Sequence, residues 1–377
     1  MGEPPSTSSE HSLPLHLPAA QPPSPQMSAV SGISVISSQI GPEPRSELKR
    51  RAEERINQYQ RTHRQNEEKL QDCLRSFLEM LPNDGCESIA SDIVNSQTDA
   101  ILWQVYHNLL TEITTDLLIV KADSRTPSLT TSPRTQRQIN ADIVAGTLPD
   151  ESQLRDASFR EACLQRDRQC CVITNFVETE HWVKIGSPAT MISGDLEAAH
   201  IIPYSFGACE GKTLPVDSGP KWEVLSRCFP GVRRAGMRPE NINDPANGLT
   251  LLGPLHLQFG KFRMAFQPTE TPHTYRLKTY PRFSTYLHQS LPESRTVTFT
   301  KADDAGAIPR PSAALLDCHF RLAEILHASG MGEYIEKKMR DWDTIKCGPE
   351  SRQLSADGST DVSRYLQAGL WNRISVS

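Results

Sequence analysis

Three polar residues stand where proton transfer or metal ligation could be carried out. His200 lies inside the apolar run Leu196-Glu197-Ala198-Ala199-His200-Ile201-Ile202-Pro203. Asn247 opens Asn247-Gly248-Leu249-Thr250-Leu251-Leu252, and His256 falls in Leu255-His256-Leu257-Gln258-Phe259-Gly260. An imidazole with an unperturbed pKa of about 6.5 can be neutral and basic at cellular pH, and it can also ligate a metal, whereas a lysine would need a large shift to act as a base. Taken singly, each residue has a plainer reading. A lone histidine in an apolar run is more often a hydrogen-bonded structural residue, Asn-Gly is a turn signal because both residues tolerate positive φ, and His256 could be a satisfied helix-surface residue. His181, His273 and His288 have no such context and read as structural. Cys170 and Cys171 lack the paired spacing of a structural zinc site and read as core residues of a first strand.

The order is what raises these residues: a histidine in Glu-Ala-Ala-His-Ile-Ile-Pro, then Asn-Gly-Leu, then Leu-His-x-x-Phe. In this the chain resembles the HNH endonuclease family, particularly the branch with Glu-Ala-Ala-His-Ile-x-Pro common in fungal proteins. The resemblance covers residues 155 to about 290 and implies a ββα-metal fold, two antiparallel strands and a helix around one divalent ion. It implies that His200 is the general base, that Asn247 holds the connecting loop and orients the base, and that His256 binds the metal. Mg²⁺ suits such a hard, phosphate-bridging site. Two positions depart from the family pattern: the residue before the base is Ala199, and Gly260 stands where this branch usually has Asp. A co-ligand for His256 then has to come from Glu197 or Asp244. The implied function is metal-dependent hydrolysis of nucleic-acid phosphodiester bonds, DNA ahead of RNA; the alternative is a degenerate HNH domain serving as a non-catalytic nucleic-acid or protein interaction module. Arg166, Arg168, Arg233, Arg234, Arg238, Lys261 and Arg263 flank the motif segments and could line a nucleic-acid path or form a solvated face.

The elements that must position these groups give an α+β chain, with a ββα-metal core between helical N-terminal and C-terminal regions. Strands are expected over 171–174, within 196–202 and within 264–268. Upstream, residues 46–81 are charged and free of Gly, with Ile56, Leu70 and Phe77 at seven-residue spacing and Tyr59, Cys73 and Met80 three residues after each. This predicts one long amphipathic helix that also offers a self-association surface, although His63 and Asn66 break the frame. A second helix is expected from about Asp99 to Val120, which makes 46–121 a helical module. Residues 1–45, crowded with Pro and Ser, read as disordered, and 122–150 as a linker. Downstream, 296–346 reads as a strand near Thr296–Thr300, a helix over Ser312–His327 and a charged helix near Glu333–Lys346, before a polar tail at 348–377.

Composition narrows the class. The net charge of −5 divides into −6 over residues 1–150, +2 over 151–290 and −1 over 291–377, so only the region carrying the motifs is positive. With no run of about 20 apolar residues and no signal-peptide core, the expectation is an intracellular protein of the nucleus or cytoplasm with no membrane partner. Lys49-Arg50-Arg51 is a candidate nuclear-localisation patch. The nine cysteines include no C-x-x-C pair and are expected to be reduced thiols.

Overall fold

The computed structural model describes residues 45–64, 66–110, 151–206 and 218–333. The expected disordered start, the linker at 122–150, the Glu333–Lys346 helix and the tail lie outside them, apart from Arg45 and Glu333.

The long helix expected over 46–81 is two helices. Helix α1 (Arg45–Asn57) ends at a turn in which His63 and Asn66 take left-handed backbone, with φ of 64° and 59°. The buried Glu67 carboxylate accepts hydrogen bonds there from Tyr59 Oη, from Thr62 N at 2.7 Å and from Arg64 N at 3.0 Å. A helix cannot pass through two left-handed residues, so the chain restarts as α2 (Leu70–Met80). Ile56, Tyr59, Leu70, Cys73 and Phe77 of the seven-residue frame are buried in the chain's own core, with the partly buried Met80 packed against it, so these residues do not form an exposed self-association seam. Helix α3 (Asn83–Asn95) follows, then α4 (Asp99–Leu109), capped by Thr98, whose hydroxyl accepts from Ile101 N. The rest of the expected Asp99–Val120 helix beyond residue 110 is outside the described residues.

Helix α5 (Glu151–Arg166) leads to the segment expected as a first strand, which is a turn instead. Asn175, at φ 58°, donates its N–H to Cys171 O at 2.9 Å and closes the chain on itself. What remains of strand pairing there is a single bridge between Cys170 and Val177. Strand β1 (Val177–Glu178) pairs in parallel with β2 (Ser193–Gly194) across helix α6 (Thr179–Lys184). Strand β3 (Leu196–His200) is followed by α7 (Ser218–Cys228) and α8 (Pro230–Arg234), then by β4 (Gly248–Leu252) and α9 (Gly253–Gly260). β3 and β4 are antiparallel, with Leu196 opposite Leu252 and His200 opposite Gly248. A second sheet, β5 (Met264–Pro268), β6 (Thr274–Thr279) and β7 (Thr296–Thr298), is antiparallel throughout, and helix α10 (Ala313–Ala328) packs on it and on α2.

The fold is α+β, and one hydrophobic cluster joins its layers, running from Ile56 and Phe77 through Leu249, Leu251 and Phe266 to Leu322. Contacts between distant segments reinforce it. Arg321 donates to Met80 O at 2.7 Å and satisfies a terminal carbonyl of α2. Arg234 pairs with Asp84 at 2.8 Å and Arg227 with Asp92, so the described part of the 204–240 insertion is docked on α3.

Candidate active site

Side chains alternate across a strand, so β3 directs Leu196, Ala198 and His200 to one face and Glu197 and Ala199 to the other. Helix α5 covers the first face and α9 the second.

On the α5 face, the His200 ring lies parallel to that of Phe159, with centroids 4.1 Å apart and planes 14° apart, and it is 9% exposed. Its Nε2 is 2.8 Å from Asn243 Oδ1. An amide oxygen can only accept, so Nε2 donates in this contact, and in the neutral imidazole Nδ1 is then the nitrogen with the lone pair. Tyr204, tilted, stands 5.7 Å away at the partly exposed rim. Asn243 thus holds one nitrogen of the imidazole in place.

Asn247 is fully buried and serves the loop. Its Oδ1 accepts from Ile202 N at 2.8 Å, and its Nδ2 donates to Ile202 O and Ile242 O at 2.9 Å each. The backbone bond from Ile201 N to Asn247 O, 2.8 Å, completes a staple between the exit of β3 and the entry of β4. Gly248 has ordinary extended backbone at φ −120° and ψ 149°, so the Asn-Gly pair is not a positive-φ turn. Gly248 is required for a different reason. A Cβ there would lie 2.4 Å from Cys163 Sγ and 2.8 Å from the Phe159 ring, so only glycine lets α5 press this closely on the strand opposite His200. Burial in this contact pushes the Cys163 thiol up to about 12, which keeps it protonated and chemically quiet.

Arg166, expected among the surface arginines, is instead fully buried at the end of α5. It forms a two-pronged pair with Asp167, both contacts 2.7 Å, and donates to Pro245 O at 2.6 Å and Gly248 O at 2.9 Å, the carbonyls on either side of Asn247. Asp167 in turn accepts from Thr250 N at 3.2 Å. Burial opposes the guanidinium charge, and the Asp167 carboxylate outweighs it. Of the other cations, Arg168 donates to Lys301 O and Arg234 is engaged with Asp84, while Arg233 and Arg238 are exposed.

On the α9 face, His256 Nδ1 is 2.5 Å from Glu197 Oε2, with the side chains 14% and 24% exposed. Glu197 therefore meets His256, while Asp244 does not: its Oδ1 accepts from Ala246 N at 2.8 Å and caps the short turn before Asn247. Ala199 and Gly260 are buried and contribute no donor atom. Among the described residues no three His, Cys, Asp or Glu side chains converge on one point. A carboxylate and an imidazole still suit a divalent ion that takes one or two protein ligands and leaves its other positions to water and phosphate. Glu197 and His200 are three residues apart, about 10 Å along an extended strand, so the donor pair and the base do not touch directly.

Residues 296–333 hold α9 in place. His319 is sandwiched between the rings of Phe259 and Phe262, with its Nε2 3.1 Å from Phe259 O, and His327 Nε2 is 2.8 Å from Phe262 O. The backbone bond from Ser312 N to Ala246 O, 2.8 Å, ties the loop before Asn247 to the start of α10. His181 lies in α6, His273 in the turn between β5 and β6, and His288 in the short 3₁₀ helix Thr285–Ser290, so none of the three is in β3 or β4.

Residues 171–267 match the family described as HNH endonuclease. No curated protein and no solved structure matches the chain.

Proposed function

We propose, from the premise that residues 171–267 form an HNH-family domain, that this domain hydrolyses nucleic-acid phosphodiester bonds with His200 as general base. The observation that carries this reading is an imidazole held through Nε2 by Asn243 at the end of β3, the strand whose Glu197 meets His256 of α9. With Nε2 bonded to Asn243, Nδ1 would be the nitrogen that takes a proton from water. Asn247 keeps the hairpin loop from moving the base. A divalent ion, Mg²⁺ by the hardness of its phosphate ligands, would be held by Glu197 and His256 and would stabilise charge on the phosphate and the leaving oxygen. DNA is the first substrate to test and RNA the second.

A second reading rests on the donor count: two protein donors with Ala199 and Gly260 beside them suit a domain that keeps the fold and binds nucleic acid or protein without cutting. One experiment separates the two. Plasmid, linear and single-stranded DNA and RNA are incubated with Mg²⁺, Mn²⁺ or EDTA, comparing wild type with His200→Ala. Metal-dependent cleavage that falls by about 10²–10⁴-fold in the variant is expected of a general base. Folded wild type that cuts no substrate under any metal establishes the non-catalytic reading instead.

A further inference from the structure

We infer that Phe159 is the positioning residue for the His200 base, a role that falls to a helix outside the family match at 171–267. The inference rests on the nuclease reading above. A base acts only when its lone pair points at the water it deprotonates, and an imidazole at a strand end can rotate about two side-chain bonds. Asn243 fixes one ring atom, and a contact to a single atom does not by itself set the plane of the ring. Phe159 lies parallel to that plane, 4.1 Å away, and so fixes it.

Phe159 is itself held. It is 2% exposed and packs in a small cluster with Cys163 and Ala198, separate from the main core. The glycine opposite His200 allows α5 to approach: any side chain at 248 would strike both Phe159 and Cys163. From the same helix, Arg160 donates to Glu178 at 3.2 Å and to Leu196 O at 3.3 Å, and Arg166 clamps Pro245 O and Gly248 O. One helix therefore grips β3 at its start, His200 at its end, and the loop that carries Asn247.

The test pairs Phe159→Leu, which keeps an apolar side chain of similar reach, with Phe159→Tyr, which keeps the ring. In Phe159→Leu, kcat is expected to fall by about tenfold to a hundredfold with KM within twofold, the pattern of a displaced catalytic group. Phe159→Tyr is expected to restore kcat. A readout independent of turnover is the His200 ring proton resonance, which the aromatic stack shifts upfield; the shift should vanish in Phe159→Leu and persist in Phe159→Tyr. A His200-dependent nuclease whose Phe159→Leu variant loses the ring shift yet keeps kcat overturns the assignment of Phe159 alone. Wild type that cuts nothing, or His200→Ala that cuts like wild type, overturns the reading beneath it.

Discussion

The two faces of the β3–β4 hairpin are furnished very differently. On the α5 face the surroundings of His200 are divided among partners that each fix one thing. Asn243 holds Nε2, Phe159 the plane, Asn247 the loop, and Arg166 the carbonyls on either side of Asn247. On the α9 face the chemistry is reduced to Glu197 and His256, with the neighbouring positions occupied by Ala199 and Gly260. On the proposed reading, orienting a base and holding a metal place separate demands on a scaffold. The first needs buried partners, which a packed helix supplies, and the second needs donor atoms, which small residues cannot supply however well they pack.

The contrast between the faces is tested most severely at Asn247. Asn247→Ala leaves Ile202 N–H, Ile202 C=O and Ile242 C=O buried without their partner, at about 1–3 kcal/mol for each group. A loss of at least about 3 kcal/mol in urea unfolding is expected; a loss below about 1 kcal/mol would show that the α5 face is not the rigid one. A gentler change probes the other side. Gly260→Asp, one helical turn beyond His256, adds the carboxylate the α9 face lacks. Calorimetry should show Mn²⁺ binding about tenfold tighter, equivalent to about 1.4 kcal/mol, and added Mn²⁺ should raise the thermal midpoint of the variant more than that of wild type. Unchanged affinity in a folded variant would remove the donor pair from consideration as a metal half.

The smallest effect on the site is expected from Glu67, which touches neither face. Burial alone would raise its carboxyl, but hydrogen bonds from Tyr59, Thr62 and Arg64 outweigh burial and hold it at about 2, below the ordinary 4.5. A carboxyl depressed on folding stabilises fully above its unfolded value and loses that contribution as pH falls. The α1–α2 turn should therefore weaken between about pH 4.5 and pH 2. Glu67→Gln should flatten that part of the acid-unfolding curve, while divalent-metal binding at neutral pH stays as in wild type.

Local pattern made some of this legible. β5 occupies Met264–Pro268 within the expected range, and α10 lies within a residue of the expected Ser312–His327 at each end, the helix because its apolar residues recur at helical spacing. The two histidines and the asparagine stand out by their order along the chain. The broken helix left a trace too, since His63 and Asn66, which interrupt the seven-residue frame, are the residues with positive φ. What could not be read is what depends on distant segments. Phe159 reaches His200 across 41 residues and Arg166 reaches Gly248 across 82, and no periodicity encodes such meetings. Asn243 sits in an Asn- and Asp-rich loop that reads as turn chemistry, and its bond to the imidazole emerges only when β3 is laid beside it. Gly248 reads in sequence as half of a positive-φ turn signal, yet its extended backbone shows that the missing Cβ is what matters.

The grip of α5 and α10 on the hairpin bears on portability. Phe159 and Arg166 come before the family-matching stretch, and Ser312, His319 and His327 come after it, yet all five bond to or stack on groups inside it. A cassette cut at 171 and 267 would leave behind the ring that faces His200, the clamp on Pro245 and Gly248, and the imidazoles that satisfy the end of α9. The nuclease-like fold of this chain is thus not a transplantable unit at those borders: any graft into another protein has to carry a helix from each side with it.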